Sequence, residues 1–191
     1  MKRFHKSEGG AAAVEFAILL PLLISMFFGV VETSLALLCR ADVSVMASTT
    51  ADLISQVNSA TTADITNVYA DAGTILYPYY DPSVGGSAKP TIRITSVIYD
   101  TSSQSTTSGK VAWTCTQTGS GTLTPGSRSV GSTVTFPQAL MTANGSVIIA
   151  EIAYNYASPT TKVITGPINM TNNFYTKPRR IAQIAAPSSC T

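Results

Sequence analysis

The sequence predicts an α+β domain carried at the outer end of a long N-terminal membrane helix. Residues 16–31 form an uncharged apolar run, and an amphipathic helical pattern follows with no glycine or proline between Gly29 and Gly73. Alternating β-branched segments then occupy the second half of the chain. We therefore expect about four antiparallel strands beside two or three helices.

The apolar run is long enough to cross a bilayer. Apolar and weakly polar residues extend it on both sides, and only Glu15 and Glu32 interrupt it. A helix of about 20 residues spans a hydrocarbon core, so we place the membrane span at about residues 14–36. Glu32 is expected to be an interface residue at the outer end of this span.

The flanking charges predict the orientation of the span. Arg40 and Asp42 follow it closely, whereas the residues that precede it are basic: Lys2, Arg3, His5 and Lys6. The positive-inside rule then places the N-terminus in the cytoplasm. We expect a cytoplasmic leader at 1–10, a transmembrane helix with its outward extension at 11–57, and a periplasmic or extracellular α+β domain at 58–191. The chain would be a single-pass protein of the inner membrane.

The net charge of +2 belongs to the leader. Lys2, Arg3 and Lys6 outweigh Glu8 there, and the rest of the chain holds nine basic and nine acidic residues. A nucleic-acid-binding surface needs an excess of Lys and Arg to neutralise phosphates. We therefore expect no nucleic-acid partner.

The chain lacks the residue patterns of the common hydrolytic sites. His5 is its only histidine, so the outer domain has no Ser–His or Cys–His pair. Glu151 is the only glutamate after Glu32, and the glycine-rich stretch 119–127 lacks the lysine of a phosphate-binding loop. The three cysteines form no CxxC pair, so we expect no metal site and no cofactor. A membrane-tethered hydrolase is the weakest hypothesis, and we expect no enzymatic activity.

The junction between the leader and the apolar run carries a local motif. Residues 7–16 are Ser-Glu-Gly-Gly-Ala-Ala-Ala-Val-Glu-Phe. Gly9 and Gly10 would allow the extended, unhindered strand that a peptidase requires. A carboxylate such as that of Glu15 is costly in an apolar run, which makes it a candidate functional residue. The alternative is an interfacial residue that reaches the headgroups from a plain anchor.

This motif resembles the pilin processing site of the Tad (tight adherence) branch of type IVb pili, and residues 9–57 resemble the TadE-like family. Members of that family act as pseudopilins or minor pilins. The resemblance implies that a prepilin peptidase cuts between Gly10 and Ala11. Glu15 and Phe16 would then be the fifth and sixth residues of the mature chain. It also implies assembly with other pilin-like subunits, in which Glu15 pairs with the N-terminal amine of a neighbour.

The same resemblance implies a type IV pilin-like lollipop, in which the N-terminal helix is the stem. Val43, Met46 and Ile54 recur at helical spacing, so the stem should extend outward and pack against the domain. One helix from Ala11 to Val57 would measure roughly 70 Å. Two helices with a break near Arg40 are the alternative. A subunit of this shape can enter a surface pilus, cap it or prime its assembly, and all three roles agree with this interpretation.

Periodicity and turn residues predict the elements of the outer domain. A second helix starts at a Thr62 or Asp64 cap and ends before Pro78. Its apolar stripe consists of Ile65, Val68, Tyr69, Ala72, Ile75 and Leu76. Four segments are interpreted as strands: Thr91–Tyr99, Lys110–Thr116, Ser146–Tyr156 and Arg179–Ala186. A short helix is expected from Pro137 up to the Asn144-Gly145 turn, and residues 160–176 are expected to be mostly loop with some strand.

A second, shorter resemblance to TadE-like proteins lies near the C-terminus. Tyr154, Tyr156 and the Phe-Tyr-Thr-Lys-Pro-Arg sequence of residues 174–179 resemble the strand and the basic, proline-containing ending of that family. The alternative is an ordinary sheet core followed by a solvated basic turn.

The three cysteines suggest one disulfide. Cys115 lies on a predicted strand, and Cys190 is the penultimate residue. Outside the cytoplasm these two can bridge and pin the C-terminal tail, and this is the pair we predict. Cys39 lies near the membrane surface and is expected to be a free, packed thiol. Three cysteines nevertheless allow three different single bridges.

Two functional hypotheses remain. The first is a structural pseudopilin or minor pilin of a Tad-type pilus assembly system, whose partners are the lipid bilayer, the prepilin peptidase and other pilin-like subunits. The second is an uncleaved single-pass anchor that displays an adhesive or binding domain. The N-terminal sequence of the mature protein separates them.

Overall fold

The computed structural model describes residues 9–81, 83, 88–137 and 139–190. Most of the predicted leader, residues 1–8, lies outside this part of the chain. The described residues form two helices and one six-stranded antiparallel sheet, which confirms the predicted α+β fold. In chain order the elements are α1 Gly9–Ser55, α2 Thr62–Thr74, β1 Thr91–Ile98, β2 Ser108–Thr118, β3 Thr124–Pro125, β4 Thr133–Thr135, β5 Ser146–Tyr156 and β6 Ile168–Thr176.

Helix α1 is a continuous stem of 47 residues, with no break at Arg40. Residues 12–27 are exposed on all sides, exposure begins to fall at residue 28, and the first residue buried against the outer domain is Glu32. The buried positions of the covered part follow helical spacing: Glu32, Cys39, Val43, Met46, Ala47, Ala51 and Ile54. The amphipathic extension predicted from the sequence is therefore the part of the stem that packs against the domain.

The stem is also long and apolar enough to cross a membrane. Among the residues that the structure describes, it is the one helix that meets this condition, and its most apolar window is wholly exposed. The lollipop shape implied by the resemblance is thus present, with a bare lower stem and a domain wrapped against the upper stem.

The sheet has the strand order β3-β2-β1-β5-β6, and the short β4 lies beside β2. β5 pairs with both β1 and β6, so it is a central strand. Ile148 and Ile152 point into the main core under the helices, whereas Val147 and Ile149 belong to a smaller core on the other side. Burial on both faces explains why residues 147–150 of β5 are all apolar and do not alternate with polar residues.

Helix α2 begins with a capping box. The amide of Asp64 donates to the Thr61 hydroxyl at 3.1 Å, and the amide of Thr61 donates to the Asp64 carboxylate at 3.0 Å. The N-cap is therefore Thr61, one residue before the expected Thr62. The buried side of α2 matches the predicted stripe: Ile65, Val68, Tyr69 and Ala72.

The helix predicted from Pro137 is wrong, because the described residues of that segment have irregular backbone. The amide of Phe136 donates to the carbonyl of Thr107 at 2.7 Å, and that of Met141 donates to the carbonyl of Thr106 at 3.0 Å. The side chains of Phe136 and Met141 fill the smaller core. Long-range hydrogen bonds to the preceding loop thus replace the local bonds of a helix.

The last predicted strand, Arg179–Ala186, is also wrong, and the strand lies instead at β6, where mostly loop was expected. β6 is an edge strand with several exposed polar residues, so it lacks the alternation that marks a half-buried strand. The 179–186 segment covers the sheet by other means: the indole N–H of Trp113 donates to the carbonyl of Ile184 at 2.9 Å.

Candidate assembly segment and membrane junction

The predicted processing site lies in the first turn of the stem. Gly9 and Gly10 are helical, so the extended strand expected there is absent. Three alanines follow, and alanine has the highest helix propensity of all residues, which favours helix up to the glycines. Each glycine costs a helix up to about 1 kcal/mol relative to alanine, so this turn unwinds more easily than the turns above it.

Residues 12–27, here called the bare segment, are apolar all round. Val14, Leu19 and Ile24 are 60%, 53% and 47% exposed, and their five-residue spacing places them on three different sides of the helix. A helix on the surface of a soluble domain has one apolar stripe, whereas a helix that is apolar all round is surrounded by lipid or by other helices. The bare segment therefore has the surface of a membrane or bundle helix.

Glu15 is the one charged residue of the bare segment. Its side chain is exposed, and none of the described residues hydrogen-bonds its carboxylate. Phe16 beside it is 57% exposed. The monomer therefore supplies no internal partner for this carboxylate within the described residues, and its role in assembly stays a prediction.

At Glu32 the stem meets a loop of the outer domain. Glu32 is 0% exposed, and its carboxylate accepts four hydrogen bonds. The Thr160 hydroxyl and the Lys162 amide donate to one oxygen of this carboxylate, and the Lys162 nitrogen lies 2.8 Å from it. The amides of Val163 and Ile164 donate to the other oxygen at 3.1 and 2.5 Å. We call this arrangement the Glu32 clamp.

The loop of the Glu32 clamp is shaped to receive an anion. Successive amides at residues 162–164 converge on the carboxylate, which is the geometry of an anion-binding nest. Thr161 adopts a φ of 50°, in the left-handed region that few residues with a Cβ occupy. Hydrogen bonds to a charged group contribute about 1.5–3 kcal/mol, so the clamp fastens the loop firmly to the stem.

The sequence indicated that Glu32 is unusual but not what it binds. We expected an interface residue at the outer end of the span, and the structure directs its carboxylate into protein instead of toward headgroups. A lone acid in an apolar run was the available signal. Its partners lie up to 132 residues further along the chain and are mainly backbone amides, which leave no mark on a sequence.

Comparison with known proteins bears on the same stem. Residues 10–52 match the family model of TadE-like proteins. Over these residues the stem is similar to the TadE-like family. This match confirms the resemblance found in residues 9–57, and it does not extend to the shorter resemblance at residues 174–179. No curated protein and no solved structure matches the chain significantly.

Above the clamp, tyrosines hold the TadE-like stem. The Tyr79 hydroxyl donates to the carbonyl of Leu35 at 3.2 Å, and the Tyr154 hydroxyl donates to the carbonyl of Tyr79 at 2.8 Å. The rings of Tyr79 and Tyr156 pack edge to face with their centroids 5.7 Å apart. The predicted strand tyrosines therefore connect the sheet to the stem.

Cys39 lies in this core as a free, buried thiol. Its burial, with a smaller effect from the charge of Asp42, raises the pKa of the Cys39 thiol to about 11. The thiolate is the reactive form of cysteine, so this protonated side chain acts as a packing group.

The upper end of the TadE-like stem has a second attachment. The Arg179 side chain pairs with Asp52, and the Arg179 amide donates to the carbonyl of Ser55 at 2.9 Å. The ion-paired side chains are 60% and 41% exposed, so their pairing contributes little to stability. This attachment and the Glu32 clamp lie about 35 Å apart along the helix.

A disulfide fixes the C-terminal tail. It joins Cys115 on β2 to Cys190, with their Cα atoms 5.1 Å apart. Cys190 is 1% exposed, so the end of the tail is buried against the sheet. The Trp113–Ile184 hydrogen bond holds the same tail a few residues earlier.

The described carboxylates of the outer domain mostly serve structural contacts. Glu151 lies between Arg93 and Arg128, with N–O distances of 3.4 and 2.5 Å. Asp100 pairs with Lys110 at 3.4 Å. Within the described ranges, no group of His, Cys, Asp or Glu side chains has the arrangement of a metal site.

Proposed function

We propose that this protein is a structural subunit of a Tad-type pilus assembly system, a pseudopilin or minor pilin that packs through its N-terminal helix. The TadE-like match over residues 10–52 supports a role related to this pilus. Such a role needs no catalytic group, and its partners are the lipid bilayer, the prepilin peptidase and other pilin-like subunits.

The bare segment is the observation that carries this proposal. Exposed apolar surface costs about 25 cal/mol for each Å² in contact with water, so a helix that is apolar on every side requires a nonaqueous environment. Lipid provides that environment before assembly, and neighbouring helices of the same kind provide it afterwards. Glu15 then provides the one polar contact in an otherwise apolar packing surface.

We place the bilayer around the bare segment, with the N-terminus in the cytoplasm. Twenty helical residues from position 12 span about 30 Å, which equals the thickness of a hydrocarbon core. The outer edge then lies near residue 31, just below the Glu32 clamp. This placement ends the span earlier than the predicted residue 36, because Glu32 is already buried against the outer domain.

Cleavage between Gly10 and Ala11 is part of the proposal. The family match begins at Gly10, and the spacing from this residue to Glu15 is that of the processing motif. The first turn of α1 must unwind for the peptidase, and its two glycines lower the cost of that step.

The intact mass of the protein from cells that make the peptidase tests this proposal. We expect wild type to lack residues 1–10 and Gly10→Leu to keep them, because the bulky side chain obstructs the extended conformation. Gly166→Leu is the matched control, since Gly166 faces open space in a loop of the outer domain. Wild-type protein that keeps residues 1–10 would contradict the processing step.

An uncleaved single-pass anchor that displays an adhesive or binding domain is the second candidate. It is favoured by the uninterrupted helix through Gly9 and Gly10, because a helical segment does not fit a peptidase that needs an extended strand. The same mass measurement separates the two candidates, since an anchor of this kind keeps its leader.

A further inference from the structure

A groove opens between the stem and the start of β6, directly above the Glu32 clamp. Its volume is about 320 Å³. Leu37 forms one wall, Ile164 and Met170 form the other, and Arg40 closes the upper end. The lower end meets a second hollow along the bare side of the helix, and Thr33 lines both. The groove is therefore continuous with the surface that we place in the bilayer.

Arg40 is the charged group of this groove. Its side chain is exposed, and no described carboxylate lies within ion-pair distance of its guanidinium. Side chains on a helix lean toward its N-terminus, which for Arg40 is the direction of the membrane. A guanidinium binds phosphate with two parallel hydrogen bonds, so this end of the groove is suited to a phosphate group.

The height of Arg40 matches that of lipid headgroups. Arg40 lies about 12 Å above Glu32 at 1.5 Å per residue, and the headgroup region extends roughly 5–8 Å beyond the hydrocarbon core. The long arginine side chain can bridge the difference as it leans toward the membrane. The apolar wall begins with Ile164 at the level of Glu32, next to the hydrocarbon edge, and continues up to Leu37, about 8 Å above Glu32.

The groove combines apolar walls with a cation at its upper end that has no ion-pair partner among the described residues. A phospholipid offers the complementary pair of groups, an anionic phosphate and an apolar acyl chain. We therefore propose that this groove binds one phospholipid of the outer leaflet, with its phosphate on Arg40 and its apolar part along Leu37 and Met170.

Within this site, the Glu32 clamp has a positioning role. Its hydrogen bond to the amide of Ile164 fixes the loop that forms one wall of the groove. The site rests on the membrane anchoring in the proposed function, and it does not depend on cleavage at Gly10.

Native mass spectrometry of the full-length protein in detergent tests the lipid site. Phosphatidylglycerol is added as the probe, and diacylglycerol, which lacks the phosphate, is added as the comparison. We expect wild type to retain one phosphatidylglycerol and little diacylglycerol. Arg40→Gln should retain at least about tenfold less phosphatidylglycerol, because charge-assisted hydrogen bonds are the strong class. Arg40→Lys should stay within a few-fold of wild type.

Arg180→Gln is the matched control, since it removes the same charge from the upper end of the domain, where Arg180 is exposed. We expect it to retain phosphatidylglycerol like wild type. Equal retention by wild type and Arg40→Gln, or equal retention of diacylglycerol and phosphatidylglycerol, would overturn the inference. A photo-cross-linker at Leu37 that captures protein and no lipid in cell membranes would also overturn it.

Alkaline extraction of membranes separates this inference from the proposed function. A chain that leaves the membrane fraction contradicts both. A chain that stays in the membrane while Arg40→Gln keeps its phospholipid contradicts the lipid site alone.

Discussion

Two glutamates on one helix differ completely in their surroundings. Glu32 is enclosed by a hydroxyl and three amides of the outer domain, whereas Glu15 is exposed on the bare segment. The first carboxylate has its partners within the monomer. The second has none among the described residues, which agrees with the proposed role of Glu15 in assembly.

Removal of the Glu15 carboxylate should block assembly and leave insertion intact. Insertion requires only the apolar run, which Glu15→Ala makes more apolar. When Glu15→Ala assembles, the N-terminal amine at Ala11 of a neighbouring subunit would have no partner in the low-dielectric helix bundle. Loss of one member of a buried pair costs about 3–5 kcal/mol. Even 2 kcal/mol weakens association roughly thirtyfold. Co-purification with pilin-like subunits and counts of pili measure this effect.

The variants of Glu15 should form a series. Glu15→Gln should behave like Glu15→Ala, and Glu15→Asp should be intermediate, because it keeps the charge on a shorter side chain. Asp71→Ala, which removes an exposed acid of α2, is the control and should assemble normally. Normal piliation by Glu15→Ala would favour the uncleaved anchor.

Glu32→Gln should release the clamped loop from the stem. A neutral amide accepts weaker hydrogen bonds than a carboxylate, and its NH₂ group faces the amide donors of the loop. We expect the free energy of unfolding of the outer domain to fall by about 1–3 kcal/mol. Trypsin should also cut faster after Lys162, which is exposed in this loop.

The same substitution at Glu15 serves as the control for Glu32. Glu15→Gln should leave both the unfolding midpoint and the rate of cleavage at Lys162 unchanged, since Glu15 touches no part of the outer domain. Unchanged trypsin cleavage in Glu32→Gln would show that the clamp contributes nothing to the position of the loop.

At the scale of the elements, sequence periodicity predicted those parts whose burial is regular. β5 was predicted with its observed bounds, and α2 was predicted from its apolar stripe. β6 and the segment after Phe136 were missed for a common reason. Their backbones are held by distant partners, namely β5 for the one and the 101–107 loop for the other. Such partners override local propensity and cannot be inferred from a single segment.

The disulfide makes a prediction about the C-terminal tail. Peptide mapping without reduction should find Cys115 linked to Cys190. Alkylation of denatured, unreduced protein should modify Cys39 alone, and alkylation after reduction should modify all three cysteines. In the folded protein Cys39 should react slowly, because burial raises the pKa of its thiol to about 11. Free thiols at both Cys115 and Cys190, in protein from cells with working disulfide formation, would contradict the linkage.

Cys190→Ser should destabilise the outer domain without altering its fold. The bridge closes a segment with a sequence separation of 75 residues. A cross-link of this kind stabilises by about 2–4 kcal/mol, mainly through the unfolded chain. Thermal unfolding of the variant should therefore occur at a lower temperature, while the circular dichroism of the folded state stays that of wild type.

At the scale of the whole molecule, the covered part of the stem is attached near its two ends, at Glu32 and at Asp52, by contacts of unequal strength. The clamp at Glu32 is buried, whereas the Asp52–Arg179 pair at the upper end is exposed to solvent. We expect Arg179→Gln to change the free energy of unfolding by less than about 1 kcal/mol, because exposed ion pairs contribute little. Chemical denaturation of this variant beside Glu32→Gln tests the contrast, and an equal loss in both would contradict it.

The general architecture could be predicted because its main signals are local. The apolar run, the amphipathic extension and the motif around Gly10 and Glu15 are each contained in a short stretch of sequence. The junction between stem and domain could not be predicted in this way. At this junction the Glu32 carboxylate binds the amides of residues 162–164, and the Leu35 carbonyl binds the Tyr79 hydroxyl. These pairs come together only once the chain is folded.

The position of the Glu32 clamp decides how a mechanical load would pass through the protein. β5 and β6 lie alongside the stem, so a pull along the helix axis loads their contacts in shear, all at once and not one after another. The Glu32 carboxylate carries the part of this load nearest the bare segment, because it is the lowest buried position of the stem. If the outer domain is pulled away from a bilayer, the domain and the stem would therefore move together as one rigid unit.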